Sequence, residues 1–297
     1  MRDRGFRADR RRGQNFLFDP QLLDAFIDDA GLREPARVLE IGAGAGTLTE
    51  ALLTRGHSLV VAEIEPVLCD YLIETLRPAR IVSTDGDVAT ISVEAPSASS
   101  VGGPDWTLVQ GDVLETKNQL SSAVVAELER NDSSFHLVAN LPYAIATSVI
   151  QLLLERNAPE MRSIGVLVQR EAAERWVAAP GSKEYGALTV LLDLMGEGRI
   201  TRSVRRGLFI PPPKVDSAFF VWSRNPGVRF DARLKRVHDL ARQLFSHRRK
   251  MVRAILKSEG LEPEFWRSVE VDPQARPEAL ASDAFVRLAD GLSARNR

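Results

Sequence analysis

Asn140, Leu141, Pro142 and Tyr143 directly follow an apolar run and carry chemically different groups that a plain turn would not require. The Asn140 amide oxygen and the Leu141 backbone carbonyl are two acceptors that could hold both N–H groups of one amino group. Pro142 disfavours helical backbone at Leu141, so this carbonyl can point into a pocket. The Tyr143 ring could stack on a planar base. The spacing therefore predicts a site that positions an aromatic amine.

A glycine-rich turn lies in "VLEIGAGAGTLTE", residues 38–50, between a strand pattern and a helix pattern. Gly42, Gly44 and Gly46 permit a tight turn and allow a ligand to approach the backbone closely. A dinucleotide-binding fingerprint would need its third glycine at position 47, where Thr47 stands. An acidic residue followed by GxGxG is instead typical of methyltransferases that use S-adenosylmethionine.

An acidic residue also stands where the next strand is expected to end. Glu63 terminates the apolar run of "SLVVAEI" and could accept hydrogen bonds from both hydroxyls of a ribose. Glu65 would face the same side of an extended strand and is the alternative. We favour Glu63 because it ends the apolar run directly.

Two Gly-Asp-Val stretches compete for the amino group of the cofactor's adenine. Distance along the chain from Glu63 favours Asp87 in "STDGDVAT", whereas distance to Asn140 favours Asp112 in "LVQGDVLE". We prefer Asp112 because "WTLVQGD" is the better strand pattern, and the Ser-, Ala-, Pro- and Gly-rich segment 92–106 is typical of an inserted surface loop. Asp87 stays open as the alternative.

Strand patterns and helix patterns alternate over most of the chain. The predicted strands are 37–41, 58–64, 106–110, 135–140, 163–169 and 217–222, and the predicted helices are Thr47–Arg55, Pro66–Leu76, Ala144–Arg156 and Arg170 to about Val177. This alternation predicts an α/β fold with a mainly parallel, doubly wound sheet. Taken with the glycine motif, it predicts a Rossmann-like S-adenosylmethionine-dependent methyltransferase domain. Such sheets bind ligands at the carboxyl ends of their strands, where the polar residues above fall.

The two acceptors at 140 and 141 suit the amino group of adenine. The lone pair of adenine N6 is delocalised into the ring, which makes the nitrogen a poor nucleophile. Acceptors placed around both N–H groups favour a tetrahedral nitrogen, whose lone pair can attack a sulfonium methyl in line. This chemistry needs no general base, nucleophilic cysteine or metal, and the one cysteine and four histidines show no metal-ligand spacing.

Composition bounds the class of protein. The chain has 297 residues, 44% of them hydrophobic and 27% charged, which predicts a globular protein with two domains, placed at 1–225 and 226–297. We expect no transmembrane helix because no run of about 18 apolar residues occurs. The arginine-rich start lacks the apolar region of a secretory signal, and a single cysteine fits a reducing cytoplasm.

Positive charge is concentrated in two segments although the net charge is only −1. Residues 1–12 hold six Arg against two Asp, and residues 199–257 hold 16 Lys and Arg against three Asp. Such polarisation allows a basic face toward phosphates. Apolar residues spaced by three or four predict one amphipathic helix over 232–257, inside a small C-terminal helical domain.

Six motifs occur in the order seen in one enzyme family. They are "GQNFL" (13–17), "LEIGAGAG" (39–46), "GD" (111–112), "NLPY" (140–143), "FIPPPKVDSAF" (209–219) and "FSHRRK" (245–250). Over about residues 10–257 the chain resembles the ribosomal small-subunit adenine dimethyltransferases, whose wider family includes large-subunit methylases and mitochondrial transcription-factor relatives. The joint set is specific, although each motif alone is not.

The resemblance implies a role for each matching position. S-adenosylmethionine contacts are expected at Asn15, Leu17 (through its backbone), Gly42, Gly44, Glu63, Asp112 and Asn140. Catalytic positions are expected at Asn140, Leu141, Pro142, Tyr143 and Phe209, with Phe209 stacking the target adenine opposite Tyr143. Contacts to RNA phosphates are expected from Arg10, Arg11, Arg12, Arg248, Arg249 and Lys250. The implied partner is small-subunit ribosomal RNA in an immature subunit, bound by a monomer without a metal.

Three other functions remain alternatives. A large-subunit RNA methylase is disfavoured by the long basic C-terminal region and the "PPPKVDS" run. A non-catalytic ribosome-assembly or transcription factor is disfavoured by the intact "NLPY" motif and Phe209. A small-molecule methyltransferase would not need the basic region. The chain departs from the family pattern in a longer loop at 85–105 and in Ala144 and Ala254, where Asn is common.

Overall fold

The computed structural model describes residues 15–83, 90–91, 105–130, 134–156 and 160–295, with backbone only at 90–91. The predicted contacts Asp87, Arg10, Arg11 and Arg12 lie outside the described residues. The strands are β1 (Phe16–Leu17), β2 (Arg37–Ile41), β3 (Ser58–Glu63), β4 (Arg80–Ser83), β5 (Thr90–Ile91), β6 (Trp106–Gln110), β7 (Leu114–Thr116), β8 (Gln119–Leu120), β9 (Phe135–Asn140), β10 (Met161–Gln169), β11 (Gly196–Val204), β12 (Phe209–Ile210) and β13 (Ser217–Arg224).

The α-helices are α1 (Pro20–Asp29), α2 (Thr47–Thr54), α3 (Pro66–Leu76), α4 (Ser122–Glu129), α5 (Ala146–Leu154), α6 (Arg170–Trp176), α7 (Ala187–Met195), α8 (Ala232–Ser246), α9 (Val252–Ile255), α10 (Pro263–Ser268) and α11 (Ser282–Arg295). Each of the six predicted strands is present with ends within two residues of the prediction, and α3 has the predicted bounds. The sequence patterns did not predict β4, β11, α4 or α7.

A nine-stranded sheet has the order β11-β13-β10-β9-β2-β3-β6-β4-β5. The pairs β10–β9, β9–β2, β2–β3, β3–β6 and β6–β4 are parallel, and β4–β5 is antiparallel. The prediction of a mainly parallel α/β sheet is therefore confirmed. Strands β2, β3 and β9 are almost continuously buried because helices cover both faces of such a sheet.

The strand order reverses at β2, whose neighbours are β3 on one side and β9 on the other. In open α/β sheets the loops after the strands diverge at this point and leave a crevice at the carboxyl ends. Here the glycine loop follows β2, Glu63 ends β3 and Asn140 ends β9. The fold thus brings these separate sequence features to one edge of the sheet.

The chain divides into two compact units: Met1–Arg170 with Ile200–Trp222, and Glu171–Arg199 with Ser223–Arg297. This division differs from the predicted boundary at 225, because 171–199 packs with the C-terminal residues. Tyr185 and Val190 lie in one apolar cluster with Leu240 and Leu244 of α8. Burial of these side chains takes the segment out of the first unit, a long-range effect that composition along the chain does not signal.

In the second unit, the prediction of one helix over 232–257 is wrong. Helix α8 ends at Ser246, and a turn closed by the Lys250 N–H on the His247 carbonyl (2.8 Å) precedes α9. The Val252 N–H donates to the Ala275 carbonyl at 2.9 Å, and the Val252 side chain is fully buried. The break in the helix directs Val252 into the core. Because Val252 also fits the apolar spacing of α8, the sequence pattern alone does not reveal the break.

Candidate active site

A cavity opens at the carboxyl ends of β2, β3 and β9 in the first unit. It brings together seven of the predicted residues: Asn15, Leu17, Gly42, Gly44, Glu63, Asn140 and Pro142. They come from four separate stretches of the chain, which the fold brings together at this cavity. Asp112, Leu141, Tyr143 and Phe209 do not line this cavity.

The glycine loop after β2 forms one wall, and its conformation requires glycine. Gly42 and Gly44 have φ values of +74° and +58°, in the left-handed region that side chains disfavour. A Cβ on Gly44 would lie 2.6 Å from a ring carbon of Phe16, and a Cβ on Gly42 would lie 3.4 Å from Pro142. The loop backbone is therefore packed closely against the N-terminal strand and against the loop after β9.

Glu63 fixes the loop from the end of β3. Its Oε2 accepts a hydrogen bond from the Gly44 N–H at 2.8 Å, and its Oε1 accepts one from the Glu65 N–H at 2.9 Å. Burial raises the pKa of the Glu63 carboxyl, and these backbone hydrogen bonds oppose that rise. The Glu63 side chain lines the cavity, whereas that of Glu65, the alternative from sequence, does not.

Asn140 is oriented by a hydrogen bond to the N-terminal segment. Its Nδ2 donates to the Asn15 carbonyl at 2.9 Å. A carbonyl can only accept, so this contact determines which end of the amide is NH₂ and leaves Oδ1 as an acceptor. The Leu141 N–H donates to the Leu167 carbonyl of β10 at 3.1 Å, which holds the backbone that carries the second proposed acceptor.

Phe209 does not face an open pocket. The antiparallel pair of β1 and β12 places Phe209 opposite Leu17, and the ring is 1% exposed within the apolar core. The prediction that this ring stacks on an adenine therefore differs from its position here, because pairing with β1 buries it. The Thr47 hydroxyl donates to the Leu17 carbonyl at 3.1 Å and ties the same strand to the start of α2.

Tyr143 is half-buried and has a hydrogen-bond partner. Its hydroxyl lies 2.6 Å from Oγ of Ser217, the first residue of β13. Burial raises the pKa of Tyr143, so the phenol stays protonated near neutral pH. The ring can offer a stacking surface, and its hydroxyl is not suited to act as a base.

Glu40 is a functional candidate that the sequence analysis missed. Its side chain is 1% exposed, lines the cavity and has Oε2 without a hydrogen-bond partner among the described residues. The pKa of Glu40 is raised to about 8, mainly by burial; the nearby Thr49 hydroxyl opposes this rise and the Glu63 carboxyl adds to it. The available signal was its position as the acidic residue before the GxGxG motif.

Asp112 follows β6, whose last residue Gln110 pairs with Glu63. The Asp112 side chain is exposed, and its Oδ1 accepts a hydrogen bond from the Leu114 N–H at 2.9 Å. It thus lies at the predicted strand end but outside the cavity, with one oxygen used in a turn. The choice between Asp112 and Asp87 stays a prediction.

In the second unit, the basic segment, defined as residues 242–257, exposes cations without carboxylate partners. Within the part of the chain that the structure describes, no ion pair forms with Arg242, Arg248, Arg249, Lys250, Arg253 or Lys257. Elsewhere in this unit Arg233 pairs with Asp290 at 2.6 Å and Lys235 pairs with Asp239 at 2.8 Å. Unpaired cations are available for phosphate groups.

Among the described residues, no group of three or more His, Cys, Asp or Glu side chains is arranged to hold a metal ion. No described helix is both long enough and apolar enough to span a membrane.

The chain is similar to known proteins over nearly its whole length. The family model for ribosomal RNA adenine dimethylase matches residues 5–292. The ribosomal RNA small subunit methyltransferase A of Clostridium botulinum (strain Okra / Type B1) is 34% identical over 292 residues, covering 96% of this chain and 94% of that protein. The enzyme of the same name from Bacillus licheniformis is 31% identical over 299 residues, covering 97% and 92%.

Two solved structures share the fold. A dimethyladenosine transferase from Plasmodium falciparum superposes with a TM-score of 0.67 at 22% identity, over 92% of this chain and 95% of that one. The 23S rRNA methyltransferase ErmE superposes with a TM-score of 0.63 at 25% identity, over 94% and 100%. The chain therefore belongs to the ribosomal RNA adenine dimethylase family, and it is an rRNA adenine dimethyltransferase.

Proposed function

We propose that this enzyme transfers methyl groups from S-adenosylmethionine to N6 of two adjacent adenines in a small-subunit rRNA hairpin loop during ribosome biogenesis. The observation that carries the proposal is the Asn140 amide, held by the Asn15 carbonyl with Oδ1 left as an acceptor. The two relatives described above, both more than 30% identical to this chain, carry a small-subunit name, and this supports the choice of substrate.

The residues around the cavity fit S-adenosylmethionine. A buried carboxyl without a partner on Oε2, as in Glu40, suits the cationic amino group of a methionine moiety. Glu63 suits the ribose hydroxyls, and the glycine loop allows close approach of a ligand. When bound, this cofactor would supply an electrophilic methyl group on sulfur.

The protein's part in the reaction is to position the amino group. Asn140 Oδ1 and the Leu141 carbonyl accept the two N–H groups of adenine, which localises the lone pair on N6. In this arrangement the N6 lone pair could accept the methyl group that a bound cofactor would supply, and one N–H proton would leave to water. Tyr143 is protonated and serves as a stacking face. The catalytic contribution is proximity and fixed dipoles.

Phe209 stays a prediction as the second stacking face. Since its ring is 1% exposed, it can meet a base only when the residues that cover it move. We expect Phe209→Ala to lose more activity than cofactor affinity, and measuring both quantities on the same preparation tests this.

The second unit supplies phosphate contacts in this proposal. Arg248, Arg249 and Lys250 lie in the turn between α8 and α9 and have no ion pairs among the described residues. Arg249 and Lys250 are exposed, and Arg248 is half-buried. Such contacts orient an RNA without reading its sequence. We infer that the enzyme acts as a monomer on an immature small subunit in the cytoplasm, where ribosomes are assembled.

A large-subunit rRNA is the second candidate substrate, favoured by the structural likeness to ErmE. The two are separated by mass spectrometry of ribosomal RNA from a strain that lacks the gene. Loss of dimethyladenosine from small-subunit RNA alone supports the proposal, and loss from large-subunit RNA alone refutes it. Purified enzyme given unmethylated small subunits and labelled cofactor must also transfer the label; binding without transfer would favour a non-catalytic assembly factor.

The carboxylate that meets the cofactor's adenine is tested separately. Asp112→Ala and Asp87→Ala are compared for cofactor affinity by calorimetry. If Asp112 is the contact, its variant alone binds more weakly, by about three- to tenfold, since one hydrogen bond to a charged acceptor is lost. The opposite order would assign the contact to Asp87.

A further inference from the structure

Ser217 is a buried hydroxyl whose side-chain partner is a residue of the proposed catalytic motif. Its side chain is 0% exposed, and its Oγ lies 2.6 Å from the Tyr143 hydroxyl. Both residues lie in the first unit, and 74 positions of sequence separate them. Neither spacing nor local pattern suggests the contact.

The backbone that carries Ser217 is fixed by the preceding residue. The Asp216 carbonyl accepts a hydrogen bond from the Arg170 N–H at 3.0 Å, where β10 passes into α6. The side-chain Oδ1 of Asp216 accepts a second hydrogen bond, from the Arg206 N–H, also at 3.0 Å. Ser217 is thus held between two neighbouring segments, and its hydroxyl is a fixed point.

A fixed hydrogen-bond partner such as the Ser217 hydroxyl matters for Tyr143, because the Tyr143 backbone does not itself restrain the ring. It lies in the turn between β9 and α5, after Pro142, and a tyrosine side chain there has two free torsions. A hydrogen bond at the far end of the ring fixes the phenol oxygen and so restricts rotation about χ1. It therefore sets the direction in which the ring extends from the turn after β9.

We propose that Ser217 is a positioning residue for methyl transfer: its hydroxyl holds the Tyr143 ring in the orientation in which the target adenine stacks. The inference rests on the proposed function, since it assumes that a base enters beside Asn140. It assigns no direct contact between Ser217 and the substrate.

The test compares Ser217→Ala, Tyr143→Phe and the double variant for methyl transfer to unmethylated small subunits. Each single variant should lower kcat by about three- to tenfold, the range for one lost hydrogen bond, with the cofactor Kd unchanged. The double variant should be no slower than either single variant, because the same interaction is removed. Independent, multiplying losses would overturn the proposal.

Stability is separated from positioning by the same set. A single change leaves one buried hydroxyl unpaired and destabilises the fold, whereas the double variant leaves none and should unfold near the wild-type temperature. A double variant that is stable but slow supports positioning; one that is stable and fully active refutes it.

Ser163→Ala is the matched control. Ser163 is also a buried strand serine of this unit, 7% exposed, with Oγ 2.7 Å from Nδ1 of His136. It should lose stability without a fall in kcat; an equal fall would mean that Ser217 acts only through stability. If the wild-type enzyme methylates no adenine of any rRNA, the proposed function fails; if it does and Ser217→Ala matches it, only this inference fails.

Discussion

The cavity at the sheet edge and the basic segment 242–257 differ in whether their polar side chains are held by partners within the protein. Around the cavity, Glu63 and Asn140 are held by hydrogen bonds of 2.8 to 2.9 Å to backbone groups of Gly44, Glu65 and Asn15. In the basic segment the cations are exposed, apart from the half-buried Arg248, and in the described ranges they lack carboxylate partners. Methyl transfer requires side chains in fixed positions, because a covalent bond is made. Binding of a phosphate group requires only an accessible positive charge.

The difference predicts different responses to substitution. Changes around the cavity should alter rate or cofactor affinity steeply and depend little on salt. Changes in the basic segment should alter RNA affinity and depend strongly on salt, because exposed charges are screened within about 10 Å at 0.1 M ionic strength. The predictions below test each side.

The largest effect is expected at Asn140. Asn140→Ala removes the proposed acceptor and should lower kcat by about 10²- to 10³-fold, as when one preorganised hydrogen-bonding group is lost elsewhere. Asn140→Asp keeps an acceptor but cannot donate to the Asn15 carbonyl, so it should also be impaired. Single-turnover methyl transfer measures both. An Asp variant as fast as wild type would mean that the hydrogen bond to Asn15 is unnecessary.

This site also marks the limit of prediction from sequence. The strand ends at Glu63 and Asn140 and the glycine turn follow from local patterns, since apolar runs and glycine spacing act over a few residues. Burial of Phe209 results from pairing with Leu17, far away in the chain. No local pattern carries that information.

The second unit repeats this lesson. The break after Ser246 depends on hydrogen bonds from Val252 and Arg253 to the carbonyls of Ala275 and Pro273, made only in the folded chain. The apolar spacing continues through the break, so periodicity predicted a single helix. The cations of "FSHRRK" were recognised by type, while their place in a turn was not.

The next largest effect is expected in the basic segment. Replacing Arg248, Arg249 and Lys250 together by Ala should weaken RNA binding by about tenfold or more near 0.1 M salt. The slope of log affinity against log salt should fall by about three, roughly one for each phosphate contact. Binding titrations at several salt concentrations measure both quantities.

Arg233→Ala is the control for charge alone. Arg233 lies in the same unit but already pairs with Asp290 at 2.6 Å, so its loss should leave RNA affinity and the salt slope nearly unchanged. Equal losses for the control and one of the turn residues would show that net charge, rather than unpaired charge in the turn, governs binding.

A smaller effect is expected from the glycine loop. Gly44→Ala should weaken cofactor binding by roughly tenfold, because its methyl group would lie 2.6 Å from Phe16 and the loop must shift. Gly31→Ala is the control, since Gly31 also has a positive φ, +78°, but its Cβ would meet nothing within 4 Å. Both should lose about 1–2 kcal/mol of unfolding free energy from left-handed strain. Equal cofactor affinities would mean that the packing on Phe16 is irrelevant to the site.

The smallest effect on cofactor affinity is expected from the titration of Glu40, which should also make stability depend on pH. Its carboxyl has a pKa raised to about 8, mainly by burial, from the ordinary value of 4.5. Between these values the folded chain holds a proton that the unfolded chain has lost. The unfolding free energy should therefore fall as pH rises through this window, by at most about 1.4 kcal/mol per pH unit from this group. Glu40→Gln removes that contribution, so denaturant midpoints of the variant should vary less between roughly pH 5 and 8.

Cofactor affinity should change in the opposite direction. The cationic amino group of S-adenosylmethionine favours the charged carboxylate, so binding to the wild type should release a proton and tighten, by less than tenfold, between pH 7 and 8. Glu40→Gln should bind more weakly at pH 8 and lose this rise. Calorimetry in buffers of different ionisation enthalpy counts the protons released. If the cofactor affinity of the wild type does not change with pH and no proton is released, Glu40 supports the glycine loop and does not contact the cofactor. In that case Glu63 and the backbone would provide the cofactor contacts in the cavity.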